Sequence, residues 1–497
     1  MQTPGIIPVS PAKVQSLREA LESLEEKMTT AIEMQMPVIE KLHPAQKISA
    51  ANLIRYLALR KEDVRPLQDQ LHIQGLSSLT NSESHILRQL QAILERLGKQ
   101  IPAEEFSDCD YYKGRELIQQ RSRQLFGSKK DAAIPYLMVT FDTAFIHNFA
   151  LVKKLLESGM NIARINCAHD SEEIWENMIA LIRGASETTG IPCKIFMDMG
   201  GPKIRTLILG KGREAGKAHI EEGQEILMAE QDAGYNSSQV VIGCSEPGII
   251  KQLKPGDRIL FDDGLIETRV ATNINGMAAL KVIRISSKKP RLKSKKGINF
   301  PDTALDLPAL TARDQNHIPF ICRHADLLGF SFVRNAGAVM ELQKILAPLQ
   351  KKPQVILKIE TPQAVKNFPS LLIQGMQQDV FGVMIARGDL AVEIGFERMS
   401  EIQEEILWFC EAAHVPVIWA TQVLETLNKS GIATRAEVTD ASHAAMAECI
   451  MINKGDYVIE VIKTLKDILQ RSGGHHAKKR YTFRPMKIAI DYFNKLS

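Results

Sequence analysis

The stretch Gln354–Glu360, QVILKIE, ends an apolar run with a lysine and a glutamate two residues apart. Residues at positions i and i+2 of a strand face the same side, so the Lys358 ammonium and the Glu360 carboxylate should point together. Charged side chains inside an apolar strand are costly unless they are paired or bind something. The strand end therefore predicts either a functional site or a buried salt-bridge network, and we favour a site because other strands end similarly.

Seven further apolar runs of this kind alternate with stretches of helical periodicity. Most are nearly continuous in hydrophobic character, as expected for parallel strands buried on both faces. Eight such units predict an α/β fold, a (β/α)8 TIM barrel whose sites lie at the carboxyl ends of the strands, with a doubly wound sheet as the alternative. The eight runs are Pro135–Phe141, Asn161–Ala168, Cys193–Met199, Leu327–Val333, Gln354–Glu360, Gly382–Gly388, Pro416–Gln422 and Glu448–Asn453.

Two other regions differ from the predicted barrel in their hydrophobic pattern. The N-terminal part carries apolar residues at helical spacing, as in Val14, Leu17, Leu21 and Leu24. The connection between the third and fourth runs is far longer than the others, and turn signals divide it into short strands. The predicted division is a helical N-terminal domain at 1–130, a catalytic barrel at 131–206 and 290–470, an inserted small β-barrel lid at 207–289, and a basic C-terminal tail at 471–497.

Composition narrows the class of protein. The 497 residues include 62 basic and 58 acidic side chains, a net charge of +4 that gives no global reason to expect nucleic acid or an anionic membrane as partner. No apolar run is long enough to span a bilayer. The first thirty residues lack a signal-peptide pattern, and the seven cysteines are scattered singly. These features predict reduced thiols and a cytoplasmic location.

Charged side chains follow several of the predicted strands. Glu360 and Asp389 end neighbouring strands with few competing nitrogen or sulfur ligands, which suits a hard cation such as Mg²⁺ or Mn²⁺. Arg164, Lys203 and Arg205 add donors near the same mouth, where arginine forks suit phosphate and carboxylate groups. A surface salt bridge is the alternative interpretation for each of these three side chains.

The motifs at the strand ends, taken in order, resemble those of the pyruvate kinases. Any one tripeptide is weak evidence, but the ordered set spans residues 135–460 and is very specific. The matching segments are Ala163–Asn166, Asp198–Thr206, Asp262–Ile266, Ser294–Asn299, Asp306–Ala309, Ser331–Arg334, Lys358–Glu360, Ala386–Leu390, Ala420–Gln422 and Thr434–Glu437.

The resemblance implies transfer of the phosphoryl group of phosphoenolpyruvate to ADP, giving pyruvate and ATP in glycolysis. It implies a divalent metal held by Glu360 and Asp389, and a Thr421 hydroxyl beside the methylene carbon of the substrate. It further implies catalytic roles for Lys358, Thr421 and Arg164, substrate binding by Arg164, Lys358, Gly388, Asp389 and Thr421, and nucleotide binding by Arg205, Lys295 and Lys296 when the inserted domain closes.

One departure from the family pattern concerns the monovalent cation. Many pyruvate kinases need K⁺, and Asn166 and Asp198 match two of its ligands, but Ala168 replaces a serine. Lys203 stands where K⁺-dependent members carry glutamate, and a fixed ammonium can replace a bound monovalent cation. We therefore predict that K⁺ is not required.

Other departures leave a second function open. The segment after the eighth strand, Ile452–Tyr457, is shortened and lacks polar residues of the family's proton path. The usual nucleotide loop after the first strand is replaced by Thr140–Ala144. The alternative is a catalytically weakened sensor or scaffold that binds phosphoenolpyruvate and metal, while a metal-dependent aldolase or lyase is disfavoured because it needs no nucleotide lid. The apolar stripes of the N-terminal helices suggest a homo-oligomer.

Overall fold

The computed structural model describes residues 11–129, 131–230, 234–236, 238–286, 290–473, 476–477 and 480–481. The N-terminal part is helical, as predicted, and it buries the expected apolar stripe, including Leu17 and Leu21. Its last helix begins at an Asp110 cap and ends before Gly127, whose φ of +86° stops the helix. The helices are α1 (Pro11–Ile39), α2 (Lys47–Arg60), α3 (Arg65–Ile73), α4 (Ile86–Arg96) and α5 (Tyr111–Phe126).

These helices pack on the turn that later leads into the seventh barrel strand, through what we call the helical seam: Asn52, Arg121, His414 and the backbone groups they bind. Arg121 donates to the carbonyls of Ala413 and His414 at 3.1 and 2.9 Å. Asn52 donates to the Ala412 carbonyl at 2.8 Å. The His414 imidazole contacts the Ser49 hydroxyl and the Ser84 carbonyl. Burial lowers the pKa of Arg121 to about 10.

The first three barrel units follow the helices. Each strand is largely apolar, β2 and β3 end in the polar residues Asn166 and Asp198, and the glycine after each helix has a positive φ that ends it. Their elements are β1 (Tyr136–Phe141), α6 (Phe149–Ser158), β2 (Ile162–Asn166), α7 (Glu172–Thr189) and β3 (Lys194–Asp198).

An inserted sheet then interrupts the barrel. Seven strands form a nearly closed, barrel-like sheet in the order β12-β8-β9-β10-β6-β7-β4, with β11 and β5 paired beside it. It has its own core, which includes Ile242, Phe261 and Leu280. The strands are β4 (Thr206–Ile208), β5 (Lys217–His219), β6 (Glu225–Ala229), β7 (Val241–Cys244), β8 (Arg258–Phe261), β9 (Ile266–Ile274), β10 (Met277–Ile285), β11 (Arg291–Lys293) and β12 (Ile298–Asn299).

The inserted sheet continues past residue 289, the limit that the sequence predicted. Strand β11 alternates exposed, buried and exposed residues, with Leu292 between two cations. The high density of lysine and arginine around Leu292 hides this alternation in the sequence. The other predicted domain limits stay predictions.

Five more barrel units follow the inserted sheet, and β17 pairs with β1 to close the barrel. All eight predicted apolar runs supply a strand, which confirms the TIM barrel and excludes the doubly wound sheet. The elements are α8 (Ala312–His324), β13 (Leu327–Phe330), α9 (Ala336–Leu346), β14 (Gln354–Ile359), α10 (Pro362–Lys366), α11 (Phe368–Gly375), β15 (Gly382–Ala386), α12 (Arg387–Ile394), α13 (Met399–Ala412), β16 (Val417–Ala420), α14 (Glu425–Ser430), α15 (Arg435–His443), β17 (Cys449–Ile452) and α16 (Val458–Gly473).

Two short strands, β18 (His476–Ala477) and β19 (Arg480–Tyr481), pair after α16. Of the predicted basic tail, 471–497, residues 471–473 belong to α16 and four more form β18 and β19, while the others lie outside the described residues. Within the described ranges, no helix combines the length and the apolar character needed to cross a bilayer. All seven cysteines are buried.

Candidate active site

The carboxyl ends of the barrel strands surround one buried carboxylate, Asp198 at the end of β3. One of its oxygens, Oδ1, lies 3.0 Å from the Lys358 ammonium, and the other, Oδ2, accepts two bonds from Arg164 at 2.6 and 2.9 Å. Burial alone would raise the pKa of Asp198, but the charges of Lys358 and Arg164 outweigh burial and lower it. Asp198 therefore remains ionised and fixes both cations.

Lys358 has acceptors for each of its three N–H donors. Its Nζ atom lies 2.7 Å from the Ser331 hydroxyl, 3.0 Å from Asp198 and 3.1 Å from Glu360 Oε1. Burial would lower the pKa of Lys358, but the charges of Asp198 and Glu360 reverse this and raise it. The same-side arrangement predicted for Lys358 and Glu360 from strand geometry is the one observed. We call these four residues, together with Arg164, the Asp198 cluster.

Arg164 is held in place from two strands. Besides Asp198, its Nη1 donates to the Thr140 hydroxyl at the end of β1, at 3.1 Å. Only 12% of the Arg164 side chain is exposed. A guanidinium fixed by two partners and open at one edge has donors left for an incoming phosphate.

Glu360 and Asp389 are the expected metal ligands. Burial raises the pKa of Glu360, the Lys358 charge opposes this, and the nearby Asp389 charge adds to it. One Glu360 oxygen also accepts from the Phe332 N–H. A hard cation between the two carboxylates would relieve their repulsion, so the residues present fit Mg²⁺ or Mn²⁺.

The protein supplies few ligands for such an ion. Among the residues that the structure describes, no group of three or more His, Cys, Asp or Glu side chains is arranged for a metal. Magnesium is commonly held by one or two carboxylates plus substrate oxygens and water. A two-carboxylate site therefore requires substrate groups to complete it.

Lys203 pairs with the expected metal ligand rather than with the expected cation ligands. Its Nζ lies 2.7 Å from Asp389 Oδ1. Asn166 and Asp198 are direct partners across β2 and β3, but their recorded contacts do not include Lys203. Of the predicted monovalent-cation region, Asn166 and Asp198 therefore lie side by side, whereas Lys203 contacts Asp389.

Thr421 and Gly388 face each other across the ends of β15 and β16. A Cβ atom placed on Gly388 would lie 3.7 Å from the Thr421 hydroxyl oxygen. That oxygen is buried, and no partner for it occurs among the described residues. A buried unpaired hydroxyl is unusual and is typical of a position that a ligand or water completes.

The three predicted nucleotide-binding residues lie on the inserted sheet, apart from the Asp198 cluster. Arg205 donates to the Lys295 carbonyl at 3.2 Å, and the Lys296 ammonium pairs with Asp262 at 2.8 Å. The charge of Arg205 nevertheless reaches the barrel, where burial and then Arg205 lower the pKa of His169. Backbone pairing places these three residues where the two ends of the inserted sheet meet.

The two loops that depart from the family pattern contact each other. Lys454 after β17 pairs with Asp142 after β1 at 3.0 Å. The shortened loop is closely packed, because a Cβ atom on Gly455 would lie 2.3 Å from the Asn428 side-chain oxygen. Asn428 also donates to the Asn453 carbonyl at 2.7 Å. The departures therefore form one altered edge of the barrel mouth.

Sequence reasoning missed three parts of this arrangement. Ser331 was assigned only to a motif, yet it bonds both Lys358 and the Met199 carbonyl. Gly329 makes room for Asp198, whose Oδ1 would lie 2.5 Å from a Cβ atom there. Asp198 itself was assigned to the cation region rather than to the centre of the site. The signal that could have identified Asp198 is a charged residue at the very end of an otherwise apolar strand.

A further contact ties the inserted sheet to α12, the helix that carries Asp389. Asn299 of β12 donates to Glu393 at 2.8 Å. Burial raises the pKa of Glu393 to about 7, the Asn299 bond opposes this, and the Asp389 charge adds to it. A small cavity beside this contact is lined by residues of both parts, among them Lys203 and Arg334.

Comparison with known proteins identifies the family of the barrel. The family model for the pyruvate kinase barrel domain matches residues 144–462. The cytosolic pyruvate kinase isozyme of Nicotiana tabacum is 33% identical over 309 residues, 61% of this chain and 58% of that protein. The pyruvate kinase of Geobacillus stearothermophilus is 33% identical over 327 residues, 64% and 54% respectively.

A third relative gives the same picture. The pyruvate kinase of Candida albicans is 34% identical over 331 residues, 64% of this chain and 63% of that protein. The chain thus spans between 54% and 63% of the length of these three relatives. The matched region contains the Asp198 cluster, Asp389 and Thr421. Because the family model covers more than half of the chain, this protein belongs to the pyruvate kinase family.

Proposed function

We propose that this protein is a cytoplasmic pyruvate kinase that transfers the phosphoryl group of phosphoenolpyruvate to ADP in glycolysis. The observation that carries the proposal is the Asp198 cluster, a buried set of opposite charges at the carboxyl ends of the barrel strands. Such a cluster is costly to bury unless it serves a purpose. The family match adds support, since its named members are pyruvate kinases.

Positioning and electrostatics would supply most of the rate in this reaction. An incoming phosphate oxygen has to replace one acceptor of Lys358, and the neutral Ser331 hydroxyl is the weakest competitor of the three. The free edge of Arg164 would hold the same phosphate. Lys358 would then stabilise the negative charge that develops on the enolate oxygen as the phosphoryl group leaves.

Glu360 and Asp389 would hold the divalent metal, which supplies Lewis-acid stabilisation of the phosphate and carboxylate oxygens. Gly388 would leave room for the substrate beside Thr421, because any larger side chain would fill the space next to the hydroxyl. The Thr421 hydroxyl would hold a proton beside the methylene carbon, where protonation of the enolate gives pyruvate. Arg205, Lys295 and Lys296 would meet the ADP phosphates from the inserted sheet.

The decisive experiment measures pyruvate formation from phosphoenolpyruvate, ADP and Mg²⁺ by the full chain and by Lys358→Met. We expect turnover by the native protein and a loss of about 10³-fold in the variant, because one preorganised charge at the reacting oxygen has this order of effect. The matched control is Lys463→Met, an exposed lysine on α16. Native protein that makes no pyruvate under these conditions would overturn the proposal.

One observation favours a second function, a sensor that binds phosphoenolpyruvate and metal with weak catalysis. The Asp142–Lys454 ion pair engages the ammonium at the altered edge of the mouth with a carboxylate of the protein, so that cation is already paired where a polyphosphate would approach. Titration calorimetry distinguishes the two. Binding of phosphoenolpyruvate in Mg²⁺ without turnover supports the sensor, whereas turnover supports the kinase.

We also propose that the enzyme does not require K⁺. Lys203 keeps a fixed positive charge 2.7 Å from Asp389, on the side of the mouth where the substrate carboxylate and phosphate would gather. Replacing K⁺ by tetramethylammonium in the assay should leave most of the activity, and loss of most activity would contradict the proposal. The homo-oligomer predicted from the N-terminal helices stays a prediction that light scattering tests.

A further inference from the structure

The Arg387 side chain, at the start of α12, contacts three consecutive residues at the end of β16. Its Nε donates to the Ala420 carbonyl at 3.0 Å, and its Nη2 donates to the Thr421 carbonyl. Its guanidinium carbon lies 4.4 Å from the centre of the Trp419 ring. Arginine suits such a place, because its planar fork stacks on an aromatic face while it donates along its edge.

Asp440 on α15 holds the other edge of the guanidinium. Its Oδ2 accepts from Nη2 at 2.9 Å, and its Oδ1 accepts from Nη1. Only 11% of the Arg387 side chain is exposed, against 28% for Asp440. A two-point carboxylate pair fixes the plane of the guanidinium as well as its position. The carbonyl contacts on the β16 side are therefore fixed through Asp440.

The segment that Arg387 contacts contains several residues with positive φ angles. Thr421, Gln422 and Leu424 have φ values of +67°, +56° and +49°. A β-branched residue rarely enters this left-handed region, and such conformations persist only where the surroundings impose them. The same backbone leaves the Thr421 hydroxyl buried beside Gly388 with no partner in the described part of the chain.

We propose that Arg387 and Asp440 are positioning residues that hold Thr421 in its left-handed conformation and thereby aim its hydroxyl at the substrate. This inference rests on the proposed function, in which Thr421 lies beside the methylene carbon. Arg387 binds the Thr421 carbonyl directly, and Asp440 acts on Thr421 through Arg387. Neither side chain touches the reacting atoms in this scheme.

The competing explanation is an ion pair that only joins α12 to α15. Removing such a pair would lower stability without changing turnover by the folded protein. A positioning role predicts instead a loss of kcat with little change in KM, because substrate binding through Lys358 and Arg164 stays intact. The two explanations therefore differ in a measurable quantity.

The test compares Arg387→Ala, Arg387→Lys and Asp440→Asn with the full-length native chain. We expect kcat to fall about 100-fold in Arg387→Ala, the order of effect of a displaced catalytic group. Arg387→Lys should fall similarly because lysine lacks the fork. Added guanidinium should restore part of the Arg387→Ala activity. The control is Arg398→Ala, whose partner Glu401 lies 3.5 Å away on the surface, and it should keep native kcat.

A double-mutant cycle shows whether Arg387 acts through Thr421. In a Thr421→Ala background, the additional Arg387→Ala change should cost less than about threefold in kcat, since groups that act as a unit are not additive. A second full 100-fold loss would overturn the inference. If Arg387→Ala does not fold, Asp440→Asn, which keeps the size of the side chain, replaces it in the cycle with an expected loss of about tenfold.

A crystal structure of the Arg387→Ala or Asp440→Asn protein tests the inference without using activity. We expect Thr421 to leave the left-handed region, and an unchanged Thr421 backbone would overturn the positioning role. A native protein without turnover would contradict the proposed function alone, because this structural readout is independent of it.

Discussion

The Asp198 cluster and the helical seam are both buried and polar, but they are built from different groups. The Asp198 cluster gathers two basic and two acidic side chains, with the Asp389 carboxylate acting on Glu360 as a further charge. The helical seam uses Asn52, Arg121 and His414 mainly to bind backbone carbonyls. In the seam the side chains complete turns and helix ends, whereas in the cluster they bind each other.

The difference separates a structural polar cluster from a functional one. Backbone carbonyls that are buried need donors, and the seam supplies them, so its polar groups serve packing. The cluster binds only two backbone groups, the Met199 carbonyl through Ser331 and the Phe332 N–H through Glu360, and its other recorded contacts join side chains to each other. Glu360 has a raised pKa because burial and a like charge act on it together. Perturbed carboxylates at strand ends are typical of sites that expect a ligand. The seam should therefore affect stability alone, and the cluster should affect activity as well.

The largest effect is expected for Asp198→Asn. The change leaves Lys358 and Arg164 buried without their shared counter-charge, so we expect the free energy of unfolding to fall by about 4 kcal/mol. Pyruvate formation by the remaining folded protein should fall at least about 100-fold. Urea denaturation and steady-state kinetics measure the two effects.

The control for Asp198→Asn is Asp302→Asn, which breaks a half-exposed pair with Arg258 on the inserted sheet. An exposed pair contributes at most about 1 kcal/mol. Equal destabilisation in the two variants would contradict the view that Asp198 is the centre of a buried charge cluster.

A smaller effect, on stability alone, is expected for Arg121→Met in the seam. The variant leaves the carbonyls of Ala45, Ala413 and His414 without their donor, so we expect a loss of about 3 kcal/mol in unfolding free energy. Turnover per folded molecule should not change. Arg115→Met on the exposed face of the same helix is the matched control. A loss of kcat in Arg121→Met would remove the distinction between the two clusters.

Stability should depend on pH through Glu393, between the cluster and the inserted sheet. Its pKa of about 7, against 4.5 for a free glutamate, means that the folded state binds the proton more tightly. The free energy of unfolding therefore falls by at most about 3 kcal/mol as pH rises from about 4.5 to about 7, and it stays constant above that range. Glu393→Gln should flatten this part of the profile, as urea denaturation at pH 5 and pH 8 would show. An unchanged slope in the variant would assign it to other groups.

The smallest effect is expected for Thr140→Val. The variant removes one hydroxyl acceptor of Arg164 and keeps the side-chain volume, a change of about 1 kcal/mol. The KM for phosphoenolpyruvate should rise about fivefold with kcat nearly unchanged. Thr188→Val, which removes a hydroxyl bonded within α7, should leave KM at its native value. A fall in kcat instead would mean that Arg164 acts in the transition state.

Much of the fold could be predicted because its signals are local. Each barrel strand is a largely apolar run, and its length and the polar residue at or directly after its end are visible in the sequence. The sequence did not predict that the inserted sheet extends to Asn299. Strand β11 has only three residues in a basic run, so its hydrophobic alternation is too short to recognise, and it forms because it pairs with β5.

The sequence predicted which residues belong to the site, but it did not predict which side chains contact each other. Strand periodicity alone gave the shared side of Lys358 and Glu360. The contact of Lys203 with Asp389 joins residues 186 positions apart and depends on how the inserted sheet rests on α12. The hydrogen bond from Arg387 to the Thr421 carbonyl was likewise not predictable. It depends on a left-handed backbone at Thr421, which threonine disfavours.

The inserted sheet leaves and re-enters the barrel side by side, since Arg205 pairs with Gly297 and Thr206 exchanges backbone bonds with Lys295 and Lys296. Entry and exit points that touch require almost no extra chain to reconnect, so the entropy of closing a short linker between them is small. The whole module from Thr206 to Asn299, which includes β12, should therefore be exchangeable as a unit. A few glycines and serines in its place should leave the eight barrel strands paired, and the corresponding segment of a relative should be graftable without rebuilding those strands.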